Sequence, residues 1–496
     1  PSAKSLSSLF IREKLREPFN SLNGELTPLQ KRLAPLICGY KDILFTPETY
    51  RNQPEIRKLY ILHCLNHVLK TRKTILKNNE KLAVNSDLEL RDQGFTRPRV
   101  LIIVPTRKFC YDIVEDLLKI LNPDQVENHK RFTNEFESDT PDLVKRKPED
   151  FQFLFGGNTD DNFRLGIKLT RKAAKIYSDF YSSDIIIGSA LGLRLAISDE
   201  DGDDIAARKR HDHDFLSSIE VCIVDYTDAI AEQNWSHLMH VFKYMNKMPE
   251  KPHGCDFSRV RTFYLDEKAD EMRQTIVLSE YITPEINALH NRGKNVSGKQ
   301  KFKPVFDKNI AETTKVQYER IGGRTGMSIV DEPDVRFKHF TSVIMPSIAR
   351  TAPIREQPGS GVVVVVPDYI DFVRLRNYMK KNSVGLPSFE SVSEYSSGAD
   401  IARARTLFAD GRKHVLLYTW RAHHYRRYML KGVRKVVMYS LPSNPLYFRE
   451  FLSMVEQNNR LQGVDGESGQ VRAIFSRYDS LKLERIVGSD AAKRMV

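Results

Sequence analysis

The sequence predicts an α/β protein of two successive lobes, each a parallel β-sheet interleaved with helices. Three observations predict it. Continuous apolar pentads recur, such as Val100–Val104 and Val362–Val366, and strands buried on both faces read this way. Each is followed by a turn residue and then by a segment of helical periodicity, so strands alternate with helices and the crossovers are right-handed. The same grammar starts afresh after about Thr351, which makes two sheets rather than one.

Taken in order, residues 1–25 read as amphipathic helix. Leu26-Thr27-Pro28-Leu29-Gln30 opens a second helix, with Thr27 as N-cap and Pro28 at the first helical position. Gly39 ends it, Asp42–Phe45 is strand-sized, and a long helix is expected over about Glu55–Leu76. Val100–Val104 reads as a strand, Pro105-Thr106-Arg107 as its end, and Phe109–Leu121 as the next helix. A strand is expected at Phe151–Phe155, followed by Gly156-Gly157 and a helix. Further strands are Asp184–Ile187 before Gly188-Ser189, Val221–Val224 before Asp225, and Thr275–Leu278 before Ser279.

The acidic run Asp199–Asp204, followed by Arg208-Lys209-Arg210, reads as a solvated loop. Asn291–Pro304 is rich in Gly, Lys and Asn and reads as an exposed boundary. In the second lobe, Gly361 leads into Val362–Val366, and the helix after Pro367 places Phe372, Leu375 and Met379 on one face. His414–Tyr418 and Lys435–Tyr439 are the next strands, and Gly322-Gly323 reads as a turn. The expected organisation is therefore a first lobe with N-terminal helices over 1–290, a linking segment over 291–345, and a second lobe with a C-terminal extension over 346–496.

The chain has 496 residues, 41% of them hydrophobic, and a mean hydropathy of −0.44, enough for two or three ordinary cores. No stretch has the length and purity of a membrane-spanning helix, and no charged segment followed by an apolar one marks a leader. The chain starts at Pro1, which reads as a piece of a longer protein. Net charge is +13 and the pI about 9.3, a balance that favours polyanionic partners without identifying one. Five dispersed cysteines, Cys38, Cys64, Cys110, Cys222 and Cys255, are expected to be buried thiols in a reducing compartment. His211 and His213 have no company that would make a metal site; neither metal nor cofactor is expected.

In open parallel sheets, ligands sit beyond the carboxyl ends of the strands. Thr106, Arg107, Gly157, Ser189, Asp225, Tyr226 and Asp228 stand there in the first lobe. This arrangement resembles the two RecA-like lobes of DEAD-box RNA helicases, of the superfamily 2 type. Leu26–Gln30 looks like the Q motif, Pro105-Thr106-Arg107 like motif Ia, and Gly156-Gly157 matches the usual double glycine. Gly188-Ser189 stands near motif Ib, and Asp225-Tyr226-Thr227-Asp228 occupies motif II. The resemblance implies RNA contacts at Thr106, Arg107, Gly157 and Ser189; read as residues alone, Arg107 is equally an ordinary surface arginine.

The departures decide the chemistry. A phosphate loop needs G-x-x-x-x-G-K-[ST], whose amides, lysine and hydroxyl hold phosphates and Mg²⁺. Here Phe45 is followed by Thr46-Pro47-Glu48-Thr49-Tyr50-Arg51, with no glycine. Pro47 removes an amide donor and Glu48 repels a phosphate. Tyr226 replaces the glutamate of motif II, so Asp225 and Asp228 are read either as remnants of a metal site or as strand-end polar groups. Motif III becomes Ser279-Glu280-Tyr281, and Tyr447–Leu452 stands where arginine fingers belong. Phosphoryl transfer is positioning plus charge stabilisation, and most of those parts are absent. No catalytic residue is assigned, and measurable ATP binding is not expected.

This pattern of losses is similar to the digestive organ expansion factor family, whose stretches look like Arg273–Glu280 and Pro445–Leu452. The resemblance covers about residues 26–496. It implies a helicase-like nucleolar protein of the small-subunit processome, with pre-ribosomal RNA, U3 small nucleolar RNA and processome proteins as partners. It implies a role in processing toward 18S ribosomal RNA, with neither a membrane nor a small-molecule substrate. The rival reading is a working ATP-dependent RNA helicase; a third is a factor that binds only proteins. The basic and aromatic segment Trp420–Lys435, with Trp420, Tyr425, Arg426 and Arg427 foremost, is expected to dock a partner, RNA or protein, the alternative being that Trp420 packs the second lobe.

Overall fold

The computed structural model describes residues 6–197, 212–306, 316–323, 327–463 and 470–496. The acidic run 199–204, the basic run 208–210 and His211 lie outside them. The chain forms two compact units, Pro1–Pro304 and Val305–Val496.

The first unit holds a nine-stranded sheet. In chain order the strands are β1 (Asp42–Phe45), β2 (Val100–Ile103), β3 (Gln125–Glu127), β4 (Arg164–Leu169), β5 (Ala173–Ile176), β6 (Ile185–Gly188), β7 (Val221–Val224), β8 (Gln274–Leu278) and β9 (Lys299–Phe302). Their spatial order is β3-β5-β4-β6-β2-β7-β8-β1-β9. The central strands β1, β2, β6, β7 and β8 are parallel to their sheet neighbours apart from the β6–β4 pair, and all five are fully buried, as their unbroken apolar runs require. Thr27 caps the helix Pro28–Cys38 through a reciprocal capping box with Gln30.

The chain departs from four expectations. Phe151–Phe155 belongs to a helix, Glu149–Phe155, not a strand. Pro148 precedes it, Glu149 and Asp150 fill its first turn, and Phe151 and Phe155 meet one turn apart with ring centroids at 4.5 Å. Gly156-Gly157 therefore leads not into a helix but through a loop to β4. That strand runs antiparallel to both β5 and β6, so the first sheet is mixed rather than parallel. Nor is 291–345 merely a linker: β9 lies parallel on β1, while β10 (Val316–Arg320) and the helix Glu332–His339 belong to the second unit.

The second unit holds a six-stranded, wholly parallel sheet of β10, β11 (Gly361–Val366), β12 (Phe389–Val392), β13 (Val415–Thr419), β14 (Val433–Met438) and β15 (Gln470–Phe475), in the order β10-β15-β14-β11-β13-β12. Phe372, Leu375 and Met379 are buried on the helix Tyr369–Lys381, as its periodicity predicts. Gly322 and Gly323 both have positive φ, 85° and 62°, as a turn requires. Buried Arg336 ties the core together: it binds Glu332 and Asp479 and donates to the carbonyls of Tyr439 and Ile474.

Candidate functional site

The carboxyl ends of β1, β2, β7 and β8 converge in the first unit, and Glu48 stands at the centre of what they form. The strand β1 runs out into Thr46, whose hydroxyl donates to Phe302 O at 2.8 Å. The Glu48 N–H donates to Ser279 O at the end of β8, at 3.2 Å, which turns the segment back into the sheet. The Glu48 side chain is wholly buried, and neither carboxyl oxygen has a hydrogen-bond donor from another group. Pro54 in the first turn of the following helix, Gln53–Val84, deletes another amide donor.

Asp225, at the end of β7, is fully buried. One of its oxygens accepts from Gln53 Nε2 at 2.9 Å and from the Tyr60 hydroxyl at 2.8 Å, the other from Tyr226 N at 3.0 Å. Asp228 accepts from the Ser279 hydroxyl at 3.0 Å and from Glu280 N at 2.9 Å. Both aspartates are thus pinned to the fold by protein donors, which favours their reading as strand-end polar groups. Tyr226 adopts a left-handed backbone conformation with φ 53°, and its ring packs on Phe109 and Phe153 with centroids at 4.7 and 5.6 Å. Its hydroxyl is buried with no partner.

Burial, with the charges of Asp225, Asp228 and Glu280 behind it, pushes the Glu48 carboxyl well above the usual range. Burial likewise raises Asp228, against the donors on it. Burial thus biases Glu48 toward its protonated form relative to an ordinary glutamate. The arrangement puts acid where a nucleotide's phosphates would need amides and a lysine, and it can neither cradle phosphate nor polarise water. Among the described residues, the only three ligand atoms within 4.8 Å of one another belong to Asp212, Asp214 and His253. There Asp214 already accepts from Glu250 N, Lys251 N and His253, and Tyr181 donates to Asp212.

The residues expected to touch RNA are placed differently. Arg107 begins the helix Arg107–Leu121 and spends its guanidinium on the protein. It pairs with Asp160 at 2.8 Å, donates to Asn162 O at 3.1 Å, and lies over the Phe136 ring at 4.9 Å. It props the 158–162 loop. Thr106 is buried with its hydroxyl unpartnered. Ser189 is buried, donates to Asp161 O and accepts from Gly192 N. Gly157 has φ 71°, and its N–H donates to Thr140 at 3.2 Å. Arg107, Gly157 and Ser189 thus tie the same rim of the sheet together.

Of the segment Trp420–Lys435, expected to dock a partner, residues 420–427 are largely interior to the second unit. Trp420 is 7% exposed, donates Nε1–H to Ser440 O at 3.0 Å, and packs on Phe451. Arg427 is buried, pairs with Glu450 at 2.8 Å and lies over Tyr447 at 4.6 Å. Although burial opposes it, His423 and Arg427 hold the Glu450 carboxyl below its ordinary range. Tyr425 is half-buried and only Arg426 is exposed. Aromatic and basic residues at this density signal a buried polar network as readily as a surface. Sequence reasoning missed Gln53 and Tyr60, the donors that fix Asp225, because a polar residue on a long helix gives no sign of the strand end it will meet.

The family described as "UTP25, NTP hydrolase-like domain" matches residues 40–300, and "Utp25, C-terminal domain" matches 308–496. The chain is 44% identical to the U3 small nucleolar RNA-associated protein 25 of Botryotinia fuckeliana, over 99% of this chain and 68% of that protein. It is 43% identical to the protein of the same name in Schizosaccharomyces japonicus, over 99% and 75%. The chain thus spans about two thirds to three quarters of the length of these relatives. Among solved structures it is similar to a DEAD-box protein from Methanococcus jannaschii, at 11% identity and a TM-score of 0.32 over 99% of this chain and 98% of that one. Likeness to the yeast DEAD-box splicing factor Prp28 is at 12% identity and a TM-score of 0.35, over 99% and 88%.

Proposed function

The chain belongs to the UTP25 family, and from that premise we propose that it is a helicase-shaped, non-catalytic assembly factor of the small-subunit processome. In this reading its two units are RecA-like lobes of the superfamily 2 type whose nucleotide machinery has been replaced by packing. It works in the nucleolus on processing toward 18S ribosomal RNA, together with pre-ribosomal RNA, U3 small nucleolar RNA and processome proteins. The observation that carries the non-catalytic reading is the Glu48 carboxyl, buried in the phosphate-loop position with Asp225 as its neighbour. The rival reading, an ATP-dependent helicase, needs a phosphate cradle at that point, and Glu48, Pro47 and Pro54 remove it.

The test is a sucrose gradient of cells that depend on the tagged chain. The chain is expected to sediment with the large pre-ribosomal particle that carries U3 small nucleolar RNA. Its depletion is expected to block processing to 18S ribosomal RNA. A chain that stays at the top of the gradient, with 18S processing normal after depletion, overturns the proposal.

A further inference from the structure

The second unit has a cavity of about 490 Å³ at the amino-terminal ends of β11, β13, β14 and β15, the end of the sheet away from Thr419. Its wall is polar: Thr351, Gln357, His414, Arg434, Lys435 and Gln470 contribute, and among the described residues no aspartate or glutamate lines it. Lys435 and Gln470 are register partners across β14 and β15.

Among the described residues, the charge there has no counter-ion. Neighbouring cations have counter-ions, Arg472 pairing with Glu319 and Lys413 with Glu390. Arg434 and Lys435 have neither an ion pair nor a side-chain hydrogen bond among the described residues. His414 is 8% exposed, and neither of its ring nitrogens has a partner. Burial, followed by the nearby charges of Arg434 and Arg472, lowers the Lys435 pKa; burial, followed by Lys435, lowers that of His414. Half-buried cations without a counter-ion among the described residues cost free energy that a bound anion would recover.

We infer that this cavity is a phosphate site and that the phosphate belongs to an RNA strand. The room exceeds what a lone phosphate needs. The hydroxyl of Thr351 and the amides of Gln357 and Gln470 suit a ribose hydroxyl and base edges beside the phosphate. A net charge of +13 favours a polyanion over a singly phosphorylated peptide. The assignment rests on the reading of the chain as an RNA-associated assembly factor.

The experiment is fluorescence anisotropy of the full chain with a single-stranded oligoribonucleotide, across a salt series, for three proteins. They are the wild type, the Arg434→Gln/Lys435→Gln variant, and a Lys380→Gln/Lys381→Gln control that removes two exposed charges elsewhere on the unit. The cavity variant is expected to bind roughly tenfold more weakly, with a log–log salt slope smaller by about one to two, while the control stays near wild type. Thermal melts of the two single variants, Arg434→Gln and Lys435→Gln, are expected to match wild type, so that lost binding is not lost folding. Equal affinity and slope for the cavity variant and the control overturn the assignment, as does loss of binding to a phosphoserine peptide but not to RNA. A cavity variant with unchanged RNA binding, in a chain that still sediments with the particle, overturns this site and leaves the assembly role standing. A wild-type chain absent from the particle overturns the role itself.

Discussion

A carboxyl group buried beside other carboxyls either bears a costly charge or holds a proton. Burial favours the proton on Glu48, and the sign of its effect on stability follows. Its folded pKa is raised above an ordinary glutamate's 4.5, so the folded chain binds more protons than the unfolded one above that pH. Stability is therefore lost as pH rises from about 4.5 through the folded pKa. Glu48→Gln, already neutral, is expected to lack that loss and to melt higher than wild type at pH 8 but not at pH 4.5. Melting curves across that range check it, and parallel profiles would contradict the buried proton. At Trp420 the expectation concerns packing: Trp420→Ala should cost about 3–5 kcal/mol, while exposed Arg426→Ala stays within about 0.5 kcal/mol. Chemical denaturation measures both. At this scale the sequence was half legible. That Glu48 offers neither an amide nor a cation to a phosphate could be read from the residue type, but its burial depends on the Glu48–Ser279 backbone bond, which joins positions far apart in the chain.

At the scale of elements, legibility followed the pattern of burial. Strands buried on both faces, β2, β6, β7, β8, β11 and β13, announce themselves as apolar runs. Strands β3, β9, β10 and β12 carry few apolar residues and are partly exposed, so nothing local distinguished them from loop. The helix Glu149–Phe155 failed for the converse reason, since five residues with three phenylalanines fit either period. Charged residues just before the strands also anchor the sheet. Glu220, preceding β7, pairs with Arg99, preceding β2, at 3.2 Å and with Arg261 at 2.9 Å, and accepts from the Tyr264 hydroxyl at 2.8 Å. Burial opposes the charge, yet Arg99, His67 and Arg261 outweigh it and hold the Glu220 carboxyl well below the usual range. Glu220→Ala leaves Arg99 buried without a carboxylate and is expected to destabilise the first unit by about 3–5 kcal/mol, read as an early transition in urea.

Over the whole molecule, a chain whose first unit matches an NTP hydrolase-like family domain has given up nucleotide chemistry. In a working helicase, ATP supplies differential binding energy between open and closed arrangements. Here the first unit offers acid where it would need amides, and its motif II aspartate is committed to Gln53, Tyr60 and Tyr226. The two-lobe division was legible from the repeated grammar of strand and helix, and the loss of the phosphate loop from residue types alone. The fate of the vacated position was not, because it is set by which side chain moves in. The measurement that bears most directly on this claim is isothermal titration of the full chain with ATP and Mg²⁺, repeated with single-stranded RNA present. The account predicts no binding heat up to millimolar nucleotide in either case. A micromolar dissociation constant, or RNA-stimulated phosphate release that disappears in Asp225→Ala, would contradict it.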